Sequence, residues 1–370
     1  MSDFMFRDRE LLRIQNALQH KESVLLVGIR RIGKTMLMNE IIRRHTGPGK
    51  VVHLDVSSYT SLYQFYSELL DSIPTPFLRR MVGFLPSLPD RLMNWVRRHV
   101  DRIDVVDLRE PDTEAALIRY WEPIANAMLQ AQKDPSVAGE IAFFAIDEFP
   151  FMLKNLLNRQ VPVEEITVAL AMLRKLRDGG IPMLLSGSIS LENLLSLHAI
   201  PHTVLGGLHR ESILPFNRDE AHSYLQTHLA NSKVVTKIDV ALDYLPDYIP
   251  SFLNTSVHYL RVLSAADNVD VVMENEVLPA IRRTFIEQFR ERLSNNYPDA
   301  ELPCAEQLLD QLAQAVETGA PIDTRNFPRV YNRVLTKLKY DMFIEEAPGH
   351  GYRFTLNALR LWWRNERGMA

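Results

Sequence analysis

Eight consecutive residues, from Gly28 to Thr35, carry the clearest chemical signal in this sequence. They read Gly-Ile-Arg-Arg-Ile-Gly-Lys-Thr and match the pattern G-x-x-x-x-G-K-[ST] without a mismatch. An apolar run over residues 23–27 precedes them, and apolar residues at helical spacing follow over residues 36–44, so the segment predicts a loop between a buried strand and a helix. Glycines let such a loop wrap closely around phosphate oxygens, while its amide groups and the helix N-terminus supply partial positive charge. The predicted phosphate-binding residues are Gly28, Ile29, Arg30, Arg31, Ile32, Gly33, Lys34 and Thr35.

The last two residues of the loop have side chains suited to separate tasks. An ammonium group at Lys34 is predicted to reach the β- and γ-phosphates of a nucleotide, and the Thr35 hydroxyl is predicted to ligate Mg²⁺. The alternative is a glycine turn that merely precedes an ordinary helix. The apolar run before the loop and the helical pattern after it favour the nucleotide interpretation.

Two adjacent carboxylates, Asp147 and Glu148, end an unbroken apolar run over residues 141–146. Such a run is typical of a strand that is buried on both faces. In open α/β sheets, ligands bind at the edge where the strands end. Asp147 is therefore predicted to hold Mg²⁺, and Glu148 to orient and deprotonate an attacking water. A solvated cap after the strand is the alternative, which the presence of the phosphate loop disfavours.

Two serines, Ser186 and Ser188, follow a third apolar run, residues 182–185. If this strand lies beside the one that ends at Asp147, either hydroxyl can hydrogen-bond the γ-phosphate or the attacking water. A plain turn after a strand is the alternative. The pair adds two catalytic candidates to Lys34 and Glu148.

Composition limits the class of protein. The chain has 370 residues, of which 46% are apolar, so it is long enough for two or three domains with sizeable cores. Its one cysteine, Cys304, excludes an intramolecular disulfide and a cysteine-rich zinc site. The N-terminus lacks a signal-peptide pattern, and no stretch of 18 apolar residues offers a transmembrane segment. We therefore expect a soluble, cytoplasmic protein.

The order of patterns predicts an α/β fold, a parallel phosphate-loop sheet flanked by helices, followed by a helical lid and a C-terminal winged helix. The predicted domains are a core over residues 1–215, a lid over 216–300 and a winged helix over 301–370. Prolines interrupt the core over about 74–135, which we interpret as an insertion. In it, Trp95, Arg97 and Arg98 suit nucleic acid or an anionic membrane surface, and the alternative is that the arginines only form the solvated face of a helix. A helix over 113–130 is predicted to break or kink at Pro123.

The winged helix is the candidate site for duplex DNA, since two helices and a glycine-turn hairpin are typical of that motif. Arg329, Arg333 and Lys337 recur at every fourth residue and form a stripe along one helix, which Arg325 and Arg353 extend. Such a stripe suits phosphate backbone, and four neutralised phosphates predict a log-log salt slope near roughly −3.6. Alternatively, the stripe is solvated or docks on an acidic protein surface.

Taken together, these segments resemble the archaeal-type ATPases, a branch of the AAA+ and STAND proteins that is related in design to the origin-recognition ATPases. The resemblance covers most of the chain. It rests on residues 6–11 (Phe-Arg-Asp-Arg-Glu-Leu), the loop over 28–35, residues 146–150 (Ile-Asp-Glu-Phe-Pro), residues 185–188 (Leu-Ser-Gly-Ser), and an arginine ahead of residues 213–216 (Ile-Leu-Pro-Phe).

The resemblance implies further site residues. Phe6 and Arg7 would lie near adenine, Ser186 or Ser188 would take the role called sensor 1, and Arg210 would sense the γ-phosphate in cis or in trans. Members often carry a Gly-Gly-x-Pro turn in the lid, which here reads Asp-Tyr-Ile-Pro over residues 247–250. Many members continue into a nuclease-like domain beyond the point where this chain stops, so we expect no nuclease activity.

The leading functional hypothesis is Mg²⁺-dependent binding and hydrolysis of ATP that drives a conformational switch or the remodelling of a partner or of DNA. The alternative is a slow, nucleotide-gated regulator that binds DNA or protein. ATP and Mg²⁺ are the expected cofactors. A protein partner or a second copy of the chain is a further candidate for assembly.

Overall fold

The protein is described by a computed structural model that covers residues 6–85, 88–101, 111–264, 266–297, 300–314, 329–347 and 351–369. For residues 111–118, 329 and 330 only the backbone is described. The chain forms two compact units. The first comprises residues up to 28 and 34–213, and the second comprises residues 29–33 and 214 onward. The predicted division into core, lid and winged helix stays a prediction.

A parallel five-stranded sheet forms the centre of the first unit. Its strands are β1 (Ser23–Val27), β2 (Lys50–Asp55), β3 (Ile141–Asp147), β4 (Met183–Gly187) and β5 (Leu208–Ser212). They lie in the order β2-β3-β4-β1-β5, and every neighbouring pair is parallel. Every residue of β3 and β4 is buried, as unbroken apolar runs require of central strands covered on both faces. The predicted α/β fold class is confirmed.

Helices connect and cover these strands. They are α1 (Asp8–Gln19), α2 (Lys34–Arg43), α3 (Leu62–Ser72), α4 (Thr75–Phe84), α5 (Asp90–Asp101), α6 (Pro111–Lys133), α7 (Phe149–Asn158), α8 (Val163–Asp178) and α9 (Leu191–Leu197), with a 3-10 turn at His202–Leu205. No helix in the described ranges combines the length and the apolar composition that crossing a bilayer requires.

The proline-rich region over 74–135 differs from its prediction in two respects. Residues 75–84 form α4 rather than an irregular stretch, because Pro76 lies in the first turn, where a proline costs the helix no hydrogen bond. Helix α6 continues past Pro123 without the predicted break. Trp95 is buried, and its indole donates to the Tyr63 hydroxyl at 3.0 Å. It therefore belongs to the core and not to a binding surface, while Arg97 is exposed on the opposite, solvated face.

The second unit is mainly helical and ends in a hairpin. Its elements are α10 (Arg218–His228), α11 (Ile238–Tyr244), α12 (Pro250–Leu260), α13 (Val269–Val272), which runs through a π-helical turn at Met273–Val277 into α14 (Leu278–Asn296), α15 (Leu302–Gln314), α16 (Arg329–Tyr340), β6 (Ile344–Ala347), β7 (Gly351–Phe354) and α17 (Asn357–Glu366), with a 3-10 turn at Val235–Lys237. Strands β6 and β7 are antiparallel, as the hairpin pattern predicts. Residues 315–328 and 348–350, which include Arg325 and the predicted turn, lie outside the described residues. The winged helix stays a prediction.

The predicted basic stripe on α16 is largely neutralised within the second unit. Lys337 is buried and donates to Glu301 at 2.6 Å, and Arg333 pairs with the same carboxylate at 3.1 Å. Arg353 pairs with Glu345 at 2.6 Å across the hairpin. Lys337 is therefore not part of an open stripe, whereas Arg333 and Arg353 are exposed cations that each pair with an acid, and phosphate binding by the stripe stays a prediction. The pattern of every fourth residue was real, but the sequence did not reveal the acidic partners.

Asp247 ties the turn before α12 to the start of α17. Its carboxylate accepts hydrogen bonds from the backbone amides of Asn357 at 3.1 Å and Ala358 at 2.7 Å. Burial raises the pKa of Asp247 to about 6, although both backbone hydrogen bonds act in the opposite direction. The desolvation of the carboxylate therefore outweighs the two hydrogen bonds that it accepts.

We expect this buried acid to make folding pH-dependent. In the unfolded chain the group ionises near its ordinary pKa of 3.8, whereas in the folded chain it ionises near 6. Between these values the folded state binds more protons, so stability falls as the pH rises through this window, by on the order of 3 kcal/mol. Asp247→Asn stays neutral and keeps an acceptor oxygen. Its free energy of unfolding, relative to the parent chain, should rise by about 2–3 kcal/mol between pH 4 and pH 7.

Urea titrations of both proteins across that pH range measure this difference. Asp219→Asn, at an exposed position in the first turn of α10, is the matched control and should change the difference by only a few tenths of a kcal/mol. A pH-independent difference for Asp247→Asn would show that the carboxylate is not desolvated in the folded chain.

Candidate functional site

The order of strands brings the candidate residues to one edge of the sheet. Strand β4 lies between β1, which leads into the phosphate loop, and β3, which ends at Asp147. Ser186 pairs with Leu26 of β1, and Leu185 pairs with Ile146 of β3. Because all three strands are parallel, their carboxyl ends meet at the same edge, and the predicted adjacency of the serine strand and the Asp147 strand is confirmed.

Backbone conformation in the loop after β1 departs from the common regions. Gly33 has φ +103°, which residues with a side chain rarely adopt, and Arg31 has φ +67°. Lys34 begins α2, is buried, and donates from Nζ to the carbonyl of Gly28 at 2.9 Å. The lysine thus folds back over the loop that it terminates. Left-handed backbone at Arg31 is strain of the kind that occurs at ligand-binding loops.

The two candidates for holding a cation differ in exposure. Thr35 is exposed in the first turn of α2, whereas Asp147 is only 3% exposed. The Asp147 carboxylate accepts hydrogen bonds from the Ser186 hydroxyl and from the amide of Glu148, the latter at 3.0 Å. Nucleotide-bound Mg²⁺ takes one or two protein oxygens and completes its shell with phosphates and water. A threonine hydroxyl and one oriented carboxylate fit that demand.

Glu148 is held in an unusual conformation directly after the strand. Its φ is +55°, in the left-handed region, and α7 begins at the next residue. The carboxylate accepts hydrogen bonds from Ser188, at 2.8 Å from the hydroxyl and 3.2 Å from the amide. The two serines therefore divide between the two acids, Ser186 on Asp147 and Ser188 on Glu148. Sequence alone left open which serine had which role.

Arg210 and Arg7, two of the remaining predicted site residues, form ion pairs with acids of the first unit. Arg210 lies in β5 beside Leu25 and pairs with Glu192 in the first turn of α9. Arg7 is buried at the start of α1 and pairs with Glu10 at 3.2 Å. Phe6 is half-buried with φ +59°. The roles of Arg210, Arg7 and Phe6 toward nucleotide stay predictions.

Two acidic residues near this edge were missed by the sequence reasoning. Asp55 ends β2 in register with Asp147, and its carboxylate accepts the Ser57 amide at 3.0 Å. An acid at the end of a predicted strand is the same signal that indicated Asp147, so the same reasoning would have predicted Asp55 as a site residue. Glu192, the partner of Arg210, carried no signal, because nothing in the sequence pairs residues from α9 and β5.

Gly187 is a position where close packing holds the site together. A Cβ atom there would lie 2.5 Å from both Cγ and Cδ of Pro150, in the first turn of α7. The rigid ring cannot yield as a flexible side chain would. We expect Gly187→Ala to lower the free energy of unfolding by about 1–3 kcal/mol. It should also slow hydrolysis, because Ser186 and Ser188 flank the displaced backbone.

Gly83→Ala is the matched control for this variant. Gly83 lies in α4, and a Cβ there meets nothing within 4 Å. Replacing a helical glycine by alanine should stabilise the protein by about 0.5–1 kcal/mol. Urea unfolding and ATPase rates of both variants provide the comparison. Equal stability of Gly187→Ala and the parent chain would mean that the contact with Pro150 is loose.

Comparison with known proteins shows which proteins this chain is similar to. A family model described as an AAA domain matches residues 15–195. No curated protein matches the chain. Among solved structures, a Walker-type ATPase of Pyrococcus abyssi is 19% identical over 98% of this chain and 96% of its own, with a TM-score of 0.58. A STAND protein with a tetratricopeptide repeat sensor from Pyrococcus horikoshii is 18% identical over 98% of this chain and 42% of its own, with a TM-score of 0.38. The ORC2 protein of Aeropyrum pernix is 13% identical over 99% of this chain and 96% of its own, with a TM-score of 0.41.

The matched region contains the phosphate loop, Asp147, Glu148 and both serines, and the likeness to the Pyrococcus abyssi protein extends the fold over nearly the whole chain. Residues 15–195 therefore form an AAA-type domain, and the protein is an enzyme that binds and hydrolyses ATP.

Proposed function

We propose that hydrolysis is Mg²⁺-dependent and that it drives a conformational switch in this protein. The observation that carries the proposal is the common strand edge, where the neighbouring parallel strands β1, β4 and β3 end at the phosphate loop, at Ser186, and at Asp147 and Glu148. Phosphoryl transfer to water needs positioning and charge neutralisation rather than a covalent intermediate. This edge offers a cation, a metal-binding carboxylate and a base in the required order.

Each residue has one task in this proposal. Lys34 neutralises charge on the β- and γ-phosphates, and Thr35 and Asp147 hold Mg²⁺, which when bound neutralises phosphate charge and orients the γ-phosphate. Ser186 fixes the orientation of the Asp147 carboxylate. Glu148 orients the attacking water and accepts its proton.

A second candidate, a slow nucleotide-gated regulator, has specific support in the same site. Glu148 accepts two hydrogen bonds from Ser188 at the same oxygen, Oε2, so the carboxylate is oriented by that serine, and turning Oε2 toward a water requires it to leave Ser188. Arg210 is likewise engaged by Glu192. A partner or a second copy of the chain that released these contacts would raise turnover, and an arginine at the γ-phosphate contributes roughly 10³ to 10⁵-fold in related chemistry.

ATPase rates measured against protein concentration, with Mg²⁺ or with EDTA, test the proposal. The Mg²⁺-dependent rate should be lost with EDTA. A rate per chain that rises with concentration or with an added partner indicates a remodelling enzyme, whereas a slow and constant rate indicates the regulator. Full activity in EDTA would refute the assignment of Thr35 and Asp147.

Duplex DNA is the second variable in this experiment. Lys337 is buried against Glu301, and Arg333 and Arg353 each pair with an acid, so among the described cations of the stripe these three would contact phosphates only by exchanging those partners. We expect weak binding by fluorescence anisotropy, with a log-log salt slope well below the roughly −3.6 of an open stripe. A slope that steep would show that these ion pairs open on DNA. Absence of binding with both ATP and ADP would leave a protein-binding role.

A further inference from the structure

A cavity of about 470 Å³ lies within the second unit, between α14, α17 and the turn before α12. This volume is typical of pockets that hold a small organic molecule. Much of its wall is apolar, formed by Ile281 and Phe285 of α14 and by Leu361 and Trp362 of α17. An apolar wall of this kind would receive the hydrocarbon part of a ligand.

Two arginines without an acidic partner among the described residues lie on the rim of this cavity. Arg282 and Arg283 line it, are exposed, and form no ion pair with any acid in the described part of the chain. The lining also contains Asp243, Glu287 and Glu366, but Asp243 pairs with Arg218 at 2.8 Å, and Glu287 and Glu366 pair with Arg290 at 3.9 and 2.5 Å. The adjacent cations thus distinguish this rim from the basic stripe on α16, whose charges are matched internally.

Trp362 contributes its ring to the cavity wall. Its side chain is about nine-tenths buried, and Nε1 is closed to solvent, so this residue adds apolar surface rather than a donor for a ligand.

The cavity is bounded by contacts that fix α17 at both ends. Asp247 caps the first turn through the amides of Asn357 and Ala358, and Glu366 in the last turn pairs with Arg290 of α14. Both attachments lie within the second unit, as do all the residues that line the cavity.

From these observations we infer that the second unit binds a small amphiphilic anion, with its apolar body in the cavity and a carboxylate or phosphate group at Arg282 and Arg283. Guanidinium groups bind both kinds of anion through paired hydrogen bonds. A ligand bound here contacts α14, α17 and the turn that Asp247 anchors. It would thereby act as a small-molecule effector of the C-terminal part of the ATPase.

Titration of the full-length protein with decanoate, decyl phosphate and decanol tests the inference by calorimetry and tryptophan fluorescence. We expect the two anions to bind and decanol to bind at least about tenfold more weakly, since a hydrogen bond to a charged group contributes about a factor of ten or more. Whichever anion binds more tightly identifies the head group. In the Trp362→Phe variant, ligand binding should no longer change the tryptophan fluorescence.

Four variants locate the site. Arg282→Ala and Arg283→Ala should each weaken decanoate binding about tenfold and leave decanol unchanged. Leu361→Trp, at a half-exposed position on the wall, should block all three ligands by filling the cavity. Arg261→Ala removes an exposed charge of the same unit that does not line the cavity, and should have no effect.

The inference would be overturned by equal affinities for decanoate and decanol, or by decanoate binding that is insensitive to the arginine variants. Lack of binding up to about 1 mM of either anion, a concentration that detects even a weak complex, would overturn it equally. Because the cavity lies wholly within the second unit, Lys34→Ala should bind decanoate normally. A result that refutes the ATPase assignment would therefore leave the proposed ligand site in the cavity untouched, and the reverse also holds.

Discussion

Lys34→Ala should lose ATP binding by about 10- to 100-fold and, with it, measurable turnover. The reason is that the ammonium group is the principal protein counter-ion for the β- and γ-phosphates, and a hydrogen bond to a charged group contributes about 1.5–3 kcal/mol. In the structure this lysine is buried at the start of α2, and its Nζ donates to the carbonyl of Gly28 in the loop at 2.9 Å. Calorimetric titration with an ATP analogue and a steady-state phosphate assay measure the two losses.

The control for this variant is Lys133→Ala, which removes one exposed positive charge of the first unit at the end of α6. It should bind and hydrolyse ATP as the parent chain does. Unchanged hydrolysis in Lys34→Ala would refute the phosphate-loop assignment. Equal losses in both variants would point to net charge rather than to the loop.

Glu148→Gln should retain ATP and hydrolyse it at least about 10²-fold more slowly, since a general base typically contributes that much. Glutamine preserves the size of the side chain and an oxygen that can accept from Ser188, so the strand end and α7 should keep their structure. Single-turnover assays separate binding from chemistry here. A Glu164→Gln variant, on the exposed first turn of α8, should be indistinguishable from the parent chain.

A parallel loss of binding and turnover in Glu148→Gln would contradict this expectation. It would mean that the carboxylate is needed to hold the left-handed turn between β3 and α7 rather than to accept a proton. Thermal unfolding of the variant distinguishes the two cases, because a structural role would lower the midpoint and a catalytic role would not.

The sequence predicted the elements of the site because each one carries its own local pattern. Glycine spacing marked the loop, and unbroken apolar runs marked the central strands β3 and β4, which are covered on both faces. The parallel fold class followed from their alternation with helices. The predicted role of Ser186 and Ser188 depended on the condition that β4 lies beside β3, and the structure meets that condition.

What the sequence did not predict depends on contacts between distant residues. Glu301 and Lys337 are 36 residues apart, and no local pattern shows that the carboxylate is buried against a stripe that looks free. The same holds for Arg210 with Glu192 and for the division of the serines between two acids. Helix α4 was missed for a different reason, because Pro76 was treated as a breaker although it lies in the first turn.

The backbone at Glu148 is fixed by hydrogen bonds, so only the side chain is free to move. Its carbonyl accepts the amides of Phe151 and Met152 at 3.0 and 3.1 Å, and the Asp147 carbonyl accepts the amide of Val56 at 3.2 Å. Moving the main chain here would unwind the first turn of α7. The carboxylate can leave Ser188 by rotation about its own side-chain bonds, a motion of picoseconds to nanoseconds. Such a pre-equilibrium would be complete long before each turnover, so release of Glu148 would set the fraction of competent enzyme and not the speed of a slow step.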